Sequence, residues 1–276
     1  MDAHDHGLAA DLEAMMNMGS TRRSSLRWLL AGAASLPFAA CGGGSGSATS
    51  QSSSTGTSGS GACSVIPEET GGPYPGDGTN SNASGIVNVL TQTGVVRTDI
   101  RSSFNGASGT AAGVPLTVKL KIVNANSSCG AAGNFAVYLW HCDREGRYSL
   151  YSSGVTDQNY LRGVQEADAD GNLSFTTIFP GCYDGRMPHV HFEVYRSLAQ
   201  STSASNRIKT SQFTFPMATL NEVYATAGYS SSATNLTHIS YASDNIFSDG
   251  YSLQLGTMSG NVTDGYVVTL TVAIAA

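Results

Sequence analysis

The sequence predicts an all-β protein, a β-sandwich of mostly antiparallel strands with long loops and a short helix. Three observations predict it. Along residues 115–123, Leu116, Val118, Leu120 and Ile122 alternate with Thr117, Lys119 and Lys121, the period of a strand with one buried face. Further short strand candidates lie at 135–140, 173–179, 189–195, 212–215 and 266–274, with turn signals between them at 143–146 and 168–172. No repeat and no helix-period stretch of useful length appears; the short helix is expected around 218–227. Many short strands joined by Gly-rich turns are the pattern of packed antiparallel sheets.

The first 62 residues read differently. Arg22 and Arg23 precede an uncharged stretch, 28–40, that ends in Phe38-Ala39-Ala40-Cys41. A spanning helix needs about 20 apolar residues, so the stretch is too short to cross a membrane. A twin arginine, a short apolar core and small residues before a cysteine resemble a bacterial twin-arginine lipoprotein leader. The expectation is an exported protein with residues 1–41 as leader, Cys41 lipidated, and the membrane reached through that anchor only. Residues 42–62, rich in Gly, Ser and Thr, form a tether with nothing to bury. The folded domain is expected over 63–276.

Composition narrows the partners. Lys and Arg number 14 against 20 Asp and Glu, a formal net charge of -6, with no basic cluster in the body. Nucleic acid needs a concentrated basic surface, so that class is excluded. Removing Cys41 leaves Cys63, Cys129, Cys142 and Cys182, an even set of the kind an oxidising compartment pairs. Of the three possible pairings, Cys129 with Cys142 and Cys63 with Cys182 is the expected one. A Cys₄ zinc site is disfavoured because no C-x₂-C spacing exists.

The strongest local signal is Pro188-His189-Val190-His191-Phe192. On a strand, residues two apart share a face, so both imidazoles point one way while Val190, Phe192 and Val194 enter the core. That is half of a metal site, since neutral imidazole suits iron, copper and zinc. The other half is open. A cupin glutamate is missing, because Tyr195 and Arg196 stand where it would fall, and a copper–zinc dismutase needs more histidines. A ferrous site could recruit Glu193 or Asp184, at an ill-fitting spacing. Tyr183, six residues before His189, is the better candidate: a trivalent cation would hold it as phenolate at neutral pH.

The runs GNFAVYLWHCDREGRYS and YLRGVQEADADGNLSFTTIFPGCYDGRMPHVHF, with PEETGGPY upstream, resemble the signature of intradiol ring-cleavage dioxygenases, in their secreted single-domain branch. The resemblance implies one non-haem Fe(III) per chain, held by Tyr148, Tyr183, His189 and His191. It also implies a catechol-type aromatic diol and O₂ as substrates, and a muconate-type diacid as product. In that reading Tyr183 takes up a substrate proton, and Arg186 stabilises charge developing on the ring. Arg162 recurs in the branch without a separable role, Trp140 is expected in the core, and Asp168 to Asp170 reads as a hairpin turn. The longer insertion that larger members carry before the histidines is reduced here to residues 184–188, so substrate range and oligomeric state do not follow. The competing class is a non-catalytic β-sandwich lipoprotein that binds aromatic or carbohydrate ligands. A third reading is a ferrous oxygenase using Glu193.

Overall fold

The computed structural model describes residues 63–276. The expected leader, the tether and Cys41 lie outside the described residues. Among the described residues, eleven strands, two short α-helices and three short 3-10 helices account for the regular structure. One sheet runs β10 (Thr257–Asn261), β11 (Gly265–Ile274), β3 (Pro115–Asn124), whose far edge is shared by β7 (Asn172–Ile178) and the two-residue β4 (Gly130–Ala131). The other runs β6 (Arg162–Glu166), β5 (Ala136–Trp140), β8 (His189–Tyr195), β9 (Arg207–Thr214). Every pairing is antiparallel except β11 with β3. A separate hairpin, β1 (Asp77–Asn82) and β2 (Gly85–Asn88), precedes both sheets.

The alternation in β3 does what its period demands. Leu116, Val118, Leu120 and Ile122 are buried in one cluster with Val137 and Leu139 of β5, Val190, Phe192 and Val194 of β8, and Phe213 of β9. Both sheets therefore contribute to a common apolar core, each large side chain adding about 1.5–3 kcal/mol on burial. Helix α1 (Met217–Tyr224) inserts Leu220, Val223 and Tyr224 into that cluster, and α2 (Ser230–Leu236) adds Leu236.

β8 is buried on both faces. Its second face carries His189, His191, Glu193 and Tyr195. There a smaller cluster gathers Tyr138 and Trp140 of β5, Val164 of β6, Val89, Leu90 and Val95 from the amino-terminal segments, and Tyr148. The metal-type residues thus lie on the side of the four-stranded sheet opposite the main core, under a cover of loops.

The cysteine pairing is corrected. Cys63 and Cys129 are joined, with Cα atoms 5.7 Å apart, while Cys142 and Cys182 are free and buried. Cys129 follows the turn after β3, to which the start of the described chain returns. Cys142 and Cys182 lie in neighbouring loops, Cys142 Sγ 3.5 Å from the Gly181 carbonyl, and stay reduced. Nothing in residue spacing distinguishes that arrangement. Two smaller expectations also shift: the strand placed at 212–215 begins at Arg207, and the helix placed at 218–227 ends at Tyr224 before a second one.

Candidate metal centre

The site begins with β8. Pro188 is tolerated because it precedes the first residue of the strand, and His189 and His191 then project from the same face. His189 Nε2 lies 3.1 Å from His191 Nε2. His189 Nδ1 donates to the Met187 carbonyl at 2.6 Å, which leaves Nε2 as the bare acceptor. Burial above all pushes both imidazoles well below their ordinary pKa, helped at His189 by the Arg186 charge and at His191 by His189 and then Arg186. Both are therefore neutral at pH 7, the form that ligates metals. The indole of Trp140 lies parallel to the His191 ring, centroids 4.9 Å apart, fixing its plane. The core residue expected at 140 is thus core and also a wall of the site.

Tyr148 and Tyr183 arrive on two loops. After β5 the chain turns at Asp143, whose carboxylate accepts from the backbone N–H groups of Glu145 and Arg147. Tyr183 follows β7 in the loop 179–188. The loops interlock at two glycines. A Cβ on Gly146, which has φ +84°, would stand 3.0 Å from Tyr183 Cβ; one on Gly181 would stand 2.7 Å from the carbonyl oxygens of Asp143 and Arg144. Only glycine allows that approach. It brings Tyr148 Oη to 3.4 Å and Tyr183 Oη to 3.3 Å from His189 Nε2.

Four donor atoms from three segments thus converge. Ligands bound to one ion at about 2.1 Å stand roughly 3.0 to 3.4 Å apart, between right-angled and tetrahedral placement. The separations of 3.1, 3.3 and 3.4 Å fall in that interval. Two phenols and two neutral imidazoles form a set that, with the phenols ionised, suits a hard trivalent cation. Among the described residues no group of three or more His, Cys, Asp or Glu side chains could hold a metal, so the tyrosines are what complete this one.

Glu193 is directed elsewhere. It accepts from Tyr195 Oη at 2.6 Å, and burial next to Asp77 raises its pKa to about 8. Asp184 is exposed. The ferrous alternative therefore has no carboxylate at the histidine pair.

Two arginines lie fully buried nearby. Arg186 pairs through Nε with Asp244 Oδ2 at 3.0 Å and donates from Nη2 to Gln212 at 2.8 Å. Arg162 donates to the Pro75 carbonyl, the Ser149 carbonyl and hydroxyl, and Tyr138 Oη. Its contacts with Ser149 clamp the residue after Tyr148, a positioning role. Asp168 caps a tight turn between β6 and β7, accepting from the backbone N–H groups of Asp170 and Asn172. The two strands lie in different sheets, so the turn crosses between sheets and is not the hairpin expected from the sequence.

Sequence reasoning missed Asp244 and Gln212. Gln212 pairs in register with His191 across β8 and β9, which a β9 placed correctly would have shown. Asp244 sits 58 residues from Arg186 in an irregular segment without a motif.

Known proteins share part of this sequence and this fold. A family model described as dioxygenase matches residues 93–202, the segment that holds all four donors and Arg186. The intradiol ring-cleavage dioxygenase of Tetranychus urticae is similar in structure, with TM-score 0.58, 23% identity, and coverage of 77% of this chain and 95% of that chain. A second dioxygenase crystal structure gives TM-score 0.59 at 22% identity over the same shares, 77% and 95%. The dioxygenase domain of a carbohydrate-binding fusion from Streptomyces sp. SirexAA-E aligns at TM-score 0.47 and 22% identity, over 77% of this chain and 99% of that one. No curated protein sequence matches. The protein has the β-rich fold of the intradiol ring-cleavage dioxygenases. It is similar in sequence to the dioxygenase family model over 93–202 and in fold to the Tetranychus urticae enzyme over 77% of the chain.

Proposed function

We propose that the protein is a non-haem Fe(III) intradiol dioxygenase that uses O₂ to open the ring of a catechol-type substrate between its hydroxyl carbons, giving a muconate-type diacid. The single observation that carries this is the convergence of Tyr148, Tyr183 and His191 on His189 Nε2 at ligand-like separations. We read the two large sheets as the faces of a β-sandwich that holds this group rigid.

Tyr148, Tyr183, His189 and His191 would hold the ion. Bound there, ferric iron would supply the electron-withdrawing centre that makes a catecholate ring carbon open to O₂. The chain's own residues do the rest. The histidines, held on a strand buried on both faces, keep the donor geometry fixed, so little reorganisation is needed on substrate binding. Tyr183 is half-buried whereas Tyr148 is 3% exposed and both histidines 2%. Tyr183 is therefore the donor that a substrate reaches, and its phenolate Oη accepts a proton from a catechol hydroxyl. Tyr148, enclosed, stays in place. Arg186, fixed by Asp244 and Gln212, presents an oriented positive end to charge developing on the ring.

The protein, loaded with ferric iron, is expected to bind one ion per chain and to absorb visible light through tyrosinate-to-iron charge transfer. Zinc or copper in a colourless native preparation would exclude the ferric reading. We further propose, from the leader pattern, that Cys41 anchors the exported protein to a membrane. Cys41→Ser should then release active enzyme into the soluble fraction, and retention at the membrane would contradict it.

A further inference from the structure

We infer that this site selects catechols without an ionised ring substituent over those that carry a carboxylate. The inference rests on the dioxygenase reading and adds the substrate class to it.

The first element is where the ring must lie. Three of the four donors are enclosed and Tyr183 is half-buried, so the opening is on its side. Tyr74, also half-buried, packs against Tyr148 with ring centroids 5.2 Å apart, and against Tyr151 at 5.1 Å. Tyr183 meets Tyr148 edge-on at 5.9 Å. A catechol whose oxygens reach the donor group therefore extends between aromatic walls, which suit an apolar or weakly polar ring.

The second element is the charge available to a substituent. A carboxylate entering such a wall needs a cation, or it is buried unpaired at a cost of several kcal/mol. The cations nearby are already committed. Arg186 is neutralised by Asp244, with both side chains at 0% exposure, and is bonded to Gln212. Arg162 spends its donors on Pro75, Ser149 and Tyr138, and Tyr151 covers its guanidinium at 5.5 Å. Arg147, next to Tyr148, pairs with Asp143 at 2.9 Å and Glu145 at 3.2 Å. No arginine named here is left to meet an added anion.

The test compares catechol, 4-methylcatechol and 3,4-dihydroxybenzoate. Binding is measured by calorimetry to protein loaded with redox-inert gallium(III), and turnover by oxygen uptake with iron-loaded protein. The expected result is that the benzoate binds roughly tenfold or more weakly than the two uncharged diols, equivalent to about 1.4 kcal/mol, with KM shifted in the same direction. Tyr74→Lys, which adds a cation at the opening, should narrow that ratio. Equal or tighter binding of the benzoate, with ring cleavage of any of the three, overturns the inference and leaves the dioxygenase reading standing. Failure to cleave all three overturns the dioxygenase reading itself, and the inference with it.

Discussion

Arg186 and Asp244 form an ion pair with no solvent exposure on either side chain, Nε to Oδ2 at 3.0 Å. The same Oδ2 accepts the Met187 backbone N–H at 2.7 Å, and Oδ1 accepts those of Ile246 and Phe247. Asp244 therefore splints the loop that links Tyr183 to His189 and fixes the guanidinium beside the histidines. Removing one partner of such a pair strands a buried charge. Asp244→Asn is expected to lower the unfolding free energy by about 3 kcal/mol or more, read from urea denaturation of the metal-free protein. A change under about 1 kcal/mol, the scale of a surface pair, would mean that the pair is not the tie described.

The four donors and Arg186 should fail in different ways. His189→Ala and His191→Ala are expected to lose the metal, since each removes a neutral donor from a rigid strand. Tyr148→Phe should lose most of the visible absorption. Tyr183→Phe should keep part of the metal and slow catechol binding. Arg186→Ala should keep metal and colour but turn over roughly 10²-fold more slowly, the loss typical of one pre-organised stabiliser. Metal content against turnover across the five variants checks the assignment, and a metal-free Arg186→Ala beside metal-replete histidine variants would reverse it.

The two glycines that interlock the tyrosine loops give a test that touches no donor. A methyl group on Gly181 would meet two carbonyl oxygens at 2.7 Å, and one on Gly146 would meet Tyr183 Cβ at 3.0 Å. Gly181→Ala should displace both loops and weaken metal binding about 10- to 100-fold, the range for groups that orient ligands. Competition with a chelator measures it; unchanged affinity would show that the tyrosines do not depend on this contact.

Much of the fold was legible because it rests on period-two alternation, as in β3, and on the two-residue spacing that puts His189 and His191 on one face. β6 was not, because Arg162 is buried through hydrogen bonds and the strand RGVQE shows no apolar stripe. The hairpin β1–β2 and the edge strand β10 are largely exposed, so no hydrophobic pattern marks them. The donor set was readable only through the family's joint motif, since a lone tyrosine carries no local sign of its role. The disulfide and the Asp244 pairing depend on how distant segments meet. Spacing cannot encode that.

His141 supplies one part of the pH dependence, beside His189 and His191, whose pKa values burial lowers in the same direction. Burial lowers the His141 pKa to about 4 from the ordinary 6.5, and its ring is hydrogen-bonded to Thr177 Oγ1 and the Cys142 carbonyl. Below the unfolded value the unfolded chain binds a proton that the folded one refuses. The stability is therefore full above 6.5 and lost as pH falls toward 4, by about 3 kcal/mol for this group. The melting temperature of metal-free protein should fall between pH 7 and 4, and His141→Gln should flatten part of that decline. An unaltered slope would assign the acid sensitivity elsewhere.

The central claim, that these residues form a ferric ring-cleaving centre, is tested most directly by one incubation. Iron-loaded protein is mixed with catechol without oxygen, then exposed to O₂, while ultraviolet absorbance and oxygen uptake are followed together. The account predicts no ring-cleaved product before oxygen enters, then one O₂ consumed per muconate-type diacid formed, with no added reductant. Turnover that requires a reductant, or oxygen uptake without ring-cleaved product, would contradict it.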